Sequence, residues 1–187
     1  MGPEQAQNFH DILHAYEDLA DKFGLWDAAG VMKEYGCSDD GFIDFRAWLI
    51  AQGRDTYLSA LADPDSLAEV IPYGDCCFET LSYVGEYAYE QLTGRSAYDE
   101  MDLGKMETLL AELEQDIVYK GGIEFPREGP ELKQYLPRLC AAHPGWDGKT
   151  RWNVRQKEMR DLIRAGKAYD QRQAPKKKHR SHGGEAR

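Results

Sequence analysis

The chain has 187 residues, of which 42% are hydrophobic and 30% charged, and its net charge is −10 at pH 7. This length suits one domain with an extension. No stretch approaches the ~20 consecutive apolar residues of a membrane helix, which argues against a membrane protein. The N-terminus lacks the basic and apolar regions of a signal peptide. We therefore expect a cytoplasmic protein whose four cysteines are reduced and mostly buried.

Apolar residues recur at the helical period along most of the chain, and no segment shows the sustained alternation of a strand. The spacing predicts helices over 8–23, 25–35, 39–52, 55–62, 76–92, 102–120, 131–136 and 152–169, with a further helix that starts at Pro64. In the first helix the apolar face expected to pack on the core contains Phe9, Ile12, Leu13, Tyr16, Leu19, Ala20 and Phe23. We predict an all-α fold, a single compact domain of about seven helices with a basic, partly helical C-terminal extension.

Composition divides the chain into four parts. We expect a flexible N-terminus over 1–7, an all-α domain over 8–145, a basic helical extension over 146–170 and a disordered basic tail over 171–187. The last segment is expected to lack structure because it offers few apolar side chains for a core.

Charge is divided unevenly between these parts. Residues 1–145 contain 28 Asp and Glu against 10 Lys and Arg, a net charge of −18, and residues 146–187 contain 5 against 13, a net charge of +8. The acidic body and the basic tail can bind each other, or the tail can bind an external polyanion. Contact with phosphates would give residues 146–187 a weak, salt-dependent affinity for nucleic acid.

The densest group of functional residue types lies between residues 36 and 66. We treat seven of its side chains as binding candidates: Asp39, Asp40, Arg46, Trp48, Arg54, Asp63 and Asp65. Each also has a structural interpretation. The aspartates can cap helices, the arginines can form ion pairs with them, and the tryptophan can lie in the core.

An alternative interpretation is an enzyme in which Asp39, Asp40, Asp63 and Asp65 form a metal or acid–base site. The two aspartate turns would have to meet. A helix about 18 Å long followed by a returning helix about 13 Å long permits this without requiring it. The block contains no histidine to act as a base, and the chain carries no catalytic signature, so we predict no cofactor.

The residues around Gly41 resemble part of an EF-hand calcium loop, but the set of calcium ligands is incomplete. With Gly41 at the invariant glycine of an EF-hand loop, the first ligand position falls on Gly36 and the last on Ala47. Both of the carboxylates that bind calcium most strongly are therefore missing, and an acidic helix start explains the same residues.

A zinc site is also incomplete. Cys140 and His143 have a Cys-x-x-His spacing, and only Cys76 and Cys77 remain to complete four ligands. Adjacent cysteines rarely bind one zinc ion together, so we predict no metal site.

Tyrosines are concentrated in the predicted helix 76–92. Tyr83 and Tyr87 share a face, with Tyr89 nearby. Side chains of this kind suit a protein interface, and they suit the edge of the core equally well.

The run CSDDGFIDFRAWLIAQGRDTYLSALADPDSLA, residues 37–68, is similar to the centre of the bacterial domain-of-unknown-function family 4240. The similarity begins near 25–29, returns at 81–84 and 135–139, and covers roughly residues 8–143. The resemblance implies a domain boundary and no activity, cofactor or site residue.

These observations favour an accessory module that binds a protein partner through the 36–66 block. The carboxylate enzyme and a nucleic-acid-associated protein that acts through its basic tail stay open as alternatives.

Overall fold

The computed structural model describes residues 2–72, 74–115, 117–149 and 156–174. Within these ranges the chain forms helices and no strand, so the predicted all-α fold is confirmed. The nine α-helices described are α1 (Pro3–Leu19), α2 (Phe23–Met32), α3 (Asp39–Ala51), α4 (Arg54–Ala62), α5 (Glu79–Thr93), α6 (Leu103–Glu114), α7 (Gly129–Tyr135), α8 (Pro137–Ala142) and α9 (Gln156–Gln173). Two 3₁₀ helices, Pro64–Glu69 and Tyr98–Glu100, join them.

The core is built mainly from α2, α3 and α4, with α7 and α8 packed beside them. Every residue of α2 from 24 to 32 is buried. The Trp26 ring stacks between Phe23 and Phe42, with centroid distances of 6.1 and 5.1 Å. The 36–66 block therefore contributes much of the core.

Helix α1 begins at Pro3, inside the segment for which the sequence predicts flexibility. Proline suits the first helical position because its fixed φ is helical and its missing N–H would have no partner there. The Gln5 side chain accepts the Gly2 N–H at 2.9 Å, which satisfies one further donor of the first turn.

Helices α5 and α6 are shorter than the sequence predicts. Cys76, where the sequence starts a helix, has a left-handed φ of 58°, and α5 begins at Glu79. Helix α6 ends at Glu114, and the Lys120 N–H, which the prediction places in the same helix, donates instead to the Ala62 carbonyl at 2.7 Å.

A buried arginine is one of the contacts that dock the basic extension on the body. Arg127, 2% exposed, donates from Nε and Nη2 to the two carboxylate oxygens of Asp170, each at 3.0 Å. Its guanidinium also lies 3.6 Å from the Tyr135 ring centroid. Helix α9 thus packs against the 121–127 loop and includes residues 171–173. The remainder of the predicted tail, 175–187, and residues 150–155 lie outside the described residues.

Helices α1 and α5 approach each other closely at Gly85. A Cβ added there would lie 2.7 Å from both Cα and Cβ of His10 and 2.9 Å from its backbone nitrogen. The absence of a side chain at Gly85 therefore sets the distance between the two helices.

Replacing Gly85 with alanine is expected to lower the free energy of unfolding by about 3 kcal/mol, because the clash is with the backbone of α1 and cannot be relieved by a rotamer change. Urea denaturation followed by circular dichroism measures this. Gly104→Ala is the matched control: its nearest atom is 3.5 Å away, and alanine favours the helix, so its stability should stay within about 1 kcal/mol of the original chain. Equal effects of both variants would contradict the close packing.

Replacing Asp170 with alanine removes the partner of a buried guanidinium, which is expected to weaken docking of α9 by about 3 kcal/mol, roughly a hundredfold in the opening equilibrium. Hydrogen exchange of α9 amides measures this. Asp161→Ala is the control because Asp161 is exposed and the ion pair described for it is with Arg164 on the same helix. Unchanged exchange in Asp170→Ala would contradict the assigned role.

Candidate functional site

Helix α1 turns a polar face inward. His10 is fully buried, and Asp11 and Glu17 are each 4% exposed. Charged and imidazole side chains are rarely buried to this degree unless they are paired. The hydrogen bonds and ion pairs around these buried side chains connect α1 to α5 and to the turn at Ala97.

The N-terminal half of this face is organised around Asp11. Its Oδ1 accepts from Gln7 Nε2 at 2.8 Å and lies 3.2 Å from His10 Nδ1. Gln7 also donates to the Ala97 carbonyl at 2.9 Å. Gln7 therefore holds Asp11 in place and connects α1 to the turn that follows α5.

The C-terminal half is organised around Glu17. Its Oε1 accepts from Ser82 Oγ at 2.6 Å, and its Oε2 lies 3.2 Å from His14 Nδ1. Burial alone would raise the pKa of Glu17, but the hydrogen bonds from His14 and Ser82 outweigh it and lower the pKa. Glu17 is thus an ionised acceptor. Because Ser82 donates to this carboxylate and not to an imidazole, the three side chains do not form an activated serine nucleophile.

Two imidazoles and a tyrosine pack together on the same side of α1. The ring centroids of His10 and His14 are 4.4 Å apart, and those of Tyr98 lie 4.6 Å from His10 and 5.2 Å from His14. Burial lowers the pKa of His10, which favours the neutral ring. Tyr98 is 47% exposed and forms the solvent side of the cluster.

Apolar side chains of α1 lie on another face and are open to solvent. Ile12 is 36% exposed, and Phe9 and Tyr16 are half-buried. The predicted inward face is therefore wrong for Ile12, because packing of the polar face on α5 turns it outward, whereas half-buried Tyr16 packs against the core. The rest of that set is buried or half-buried: Leu13, Leu19, Ala20 and Phe23.

These apolar side chains line a groove of about 490 Å³ beside the end of α3. Five of its seven lining residues are apolar or aromatic, and the complete set is Gln5, Asn8, Phe9, Ile12, Leu13, Tyr16 and Ile50. A second, smaller depression of about 170 Å³ shares Tyr16 and is also lined by Arg54 and residues of α4 and α6. Apolar surface therefore continues from Tyr16 onto α4 and α6.

Asp63 and Asp65 are placed at a junction between helices. Asp65, 3% exposed, accepts the backbone N–H of Leu139 at 2.9 Å and Arg138 Nε at 3.1 Å. Asp63 accepts the backbone N–H of Asp65 and receives Lys120 Nζ at 2.8 Å. The pair thus caps the 3₁₀ helix and the start of α8.

Asp39 and Asp40 lie in the exposed first turn of α3, where Ser38 is the cap and accepts the Gly41 N–H at 3.1 Å. The contacts described for Asp63 and Asp65 are with Lys120 and α8, and they include neither Asp39 nor Asp40.

The remaining candidates of the block are divided between core and surface. Trp48 is fully buried. Arg46 donates to the Glu17 carbonyl at 3.0 Å and lies 5.2 Å from the Phe42 ring centroid, so it secures α3 to the end of α1. Arg54 is exposed at the first turn of α4.

The tyrosines of α5 have different exposures. Tyr83 and Tyr87 are 38% and 55% exposed, with ring centroids 5.9 Å apart, whereas Tyr89 is buried. Only the first two are therefore available to a partner.

All four cysteines are free thiols. Burial raises the pKa of Cys37 to about 12 and those of Cys76 and Cys140 to about 11. Thiols with such values stay protonated at neutral pH and are poor nucleophiles. Within the described ranges, no three His, Cys, Asp or Glu side chains are placed together to hold a metal ion.

The sequence interpretation missed His10 and His14. Their spacing of four residues, with Glu17 three residues further, puts all three side chains on one face of a helix. That signal is present in the sequence, but it does not reveal whether the face is buried or solvated.

Replacing Asp65 with alanine is expected to lower the free energy of unfolding by about 2–3 kcal/mol, since the buried Leu139 N–H loses its acceptor. Asp40→Ala, at an exposed helix start, should cost less than about 1 kcal/mol. Thermal and urea unfolding of both variants test this. If Asp65→Ala left the free energy of unfolding unchanged, the structural role would be contradicted and Asp65 would return to the functional candidates.

The comparisons with known proteins bear on the N-terminal half of the chain. No curated protein and no solved structure matches the chain. None of the helices described is long and apolar enough to cross a bilayer. A family model described as "Protein of unknown function (DUF4240)" matches residues 1–91, from α1 into α5. The resemblance carried by residues 37–68 is thereby confirmed, over a match that includes the whole of α1 and does not extend to 135–139.

Proposed function

We propose that this domain is a protein-binding module that accepts a basic amphipathic helix in the apolar groove of α1. The observation that carries the proposal is the outward apolar face formed by Phe9, Ile12 and Tyr16. Part of the apolar side of α1 is thus left open although polar side chains of the same helix are buried, which departs from the usual arrangement. Such a face fits the mode in which an amphipathic helix lies in a groove.

Charge supports a basic partner. Residues 1–145 contain 28 acidic and 10 basic side chains. Among the described residues, at least six of these ten cations take part in ion pairs with carboxylates: Lys22, Arg46, Arg95, Lys120, Arg127 and Arg138. The surface that a partner approaches is therefore dominated by unneutralised acids, which attract a cationic helix and repel an acidic one.

The groove is a better docking surface than the 36–66 block. In that block Trp48 is buried, and Asp63, Asp65 and Arg46 are already bonded to other parts of the fold. Most of the groove, by contrast, is lined by apolar side chains that have no polar group to bond elsewhere: Phe9, Ile12, Leu13 and Ile50. The expected contact of residues 146–187 with a polyanion stays a prediction.

The test uses the full chain and a labelled peptide of about 18 residues, made of leucine and lysine with the leucines at helical spacing. Fluorescence anisotropy should show binding that weakens when salt is raised from about 0.1 to about 0.5 M. Ile12→Glu should weaken binding roughly tenfold or more, because it places a charge in the centre of the groove.

Ile71→Glu is the matched control, since Ile71 is 90% exposed, lies outside the groove and gains the same charge. Its affinity should stay within about twofold of the original chain. A leucine–glutamate peptide and a lysine–leucine peptide of scrambled spacing should not bind. The proposal fails if the basic peptide binds Ile12→Glu and Ile71→Glu equally, or does not bind the original chain.

A further inference from the structure

We propose that His10 and His14 form a binding site for a divalent transition-metal ion, with Nε2 of each ring as a ligand. Histidines four residues apart on one face of a helix are a recurring metal-binding arrangement. Here they lie on adjacent turns of α1 with ring centroids 4.4 Å apart. One ion about 2.1 Å from each nitrogen can join rings at such a separation.

Hydrogen bonds to the other ring nitrogens prepare both imidazoles for this role. His10 Nδ1 faces Asp11 Oδ1 at 3.2 Å, and His14 Nδ1 faces Glu17 Oε2 at 3.2 Å. A carboxylate only accepts, so each Nδ1 carries a proton, and in the neutral ring the lone pair is on Nε2. Metal-binding histidines usually donate their second N–H to a carboxylate in this way.

The carboxylates are themselves held in position. Gln7 donates to Asp11 at 2.8 Å, and Ser82 donates to Glu17 at 2.6 Å. The orientation of each imidazole is therefore fixed by a chain of two hydrogen bonds, which goes beyond what packing of a core histidine requires.

Both Nε2 atoms are buried and have no hydrogen-bond partner among the described residues. His10 as a whole is fully buried. Burying an acceptor without a partner is unfavourable, and such groups in native proteins are often explained by an ion or a catalytic role. Here two nitrogens without partners lie in adjacent rings, and a carboxylate orients each ring. One metal ion bound to both nitrogens explains them better than two separate unsatisfied groups.

Ligand type selects the class of ion. Imidazole suits zinc, copper, nickel and cobalt, whereas magnesium and calcium prefer oxygen ligands. No third side chain is placed with the two rings within the described ranges. The two rings would therefore supply two ligands, and water or an atom of a bound molecule would complete the coordination of the ion. Tyr98, 47% exposed and packed against both rings, lies where an ion would enter.

The test is zinc binding to the full chain, followed by long-range ¹⁵N–¹H NMR of the histidine rings. Before zinc is added, the neutral form of either ring should carry its proton on Nδ1. Zinc should shift the Nε2 resonances of both rings together, at one equivalent. His14→Gln should weaken this event roughly tenfold or more. His143→Gln, outside the cluster, should leave it unchanged.

Substitution of the buried His10 risks the fold, so the ring resonances of the unaltered chain carry the test. Zinc that shifts only the other histidines or binds only the cysteines would overturn the proposal, as would a neutral ring that carries its proton on Nε2. Tyr98→Ala provides an independent measurement: removing the ring at the entrance should speed zinc uptake, and unchanged uptake would contradict entry beside Tyr98.

Discussion

Glu17 is the residue at which three helices are joined. Its carboxylate receives His14 of its own helix and Ser82 of α5, and its backbone carbonyl receives Arg46 of α3. One residue earlier, the Tyr16 carbonyl accepts the Tyr57 hydroxyl of α4 at 2.7 Å. The last carbonyls of a helix need external donors, and a cation is favoured there by the helix dipole. The end of α1 is thus satisfied by the helices that form the core, which fixes the rotation of α1 about its axis.

That rotation explains the two faces of α1. If Glu17 must reach Ser82, then His10 and Asp11, on the same side of the helix, are carried into the contact with α5. Gly85 permits the approach because a side chain there would strike the His10 backbone. Phe9 and Ile12 are then left on the outside. The exposed groove is therefore a consequence of buried polar pairing, and the free energy needed to leave apolar side chains in water is offset by contacts elsewhere in the fold.

Much of the helical architecture could be predicted from local sequence. Ser38 and Asp63 are caps where the turn residues suggest them, and Gly94 ends α5 in the left-handed conformation. The α1 site could not be predicted in the same way, because apolar spacing identifies the face that could be buried and says nothing about a competing polar face. Its burial depends on Gly85 and Ser82, which lie far along the chain. Asp65 illustrates the same limit, since its partners Arg138 and Leu139 follow a long intervening segment.

The groove and the histidine pair are separate features of one helix. Ile12 lies in the groove, whereas His10 and His14 face α5 and Tyr98, so substitutions on the two faces share no partner. Effects at sites without shared partners usually add. Loss of peptide binding in a variant that still takes up zinc would therefore show that the groove acts alone. If an occupant of the groove changes zinc affinity, the coupling has to pass through rotation of α1 itself. Glu17, which fixes that rotation, is then the residue at which the coupling would be lost first.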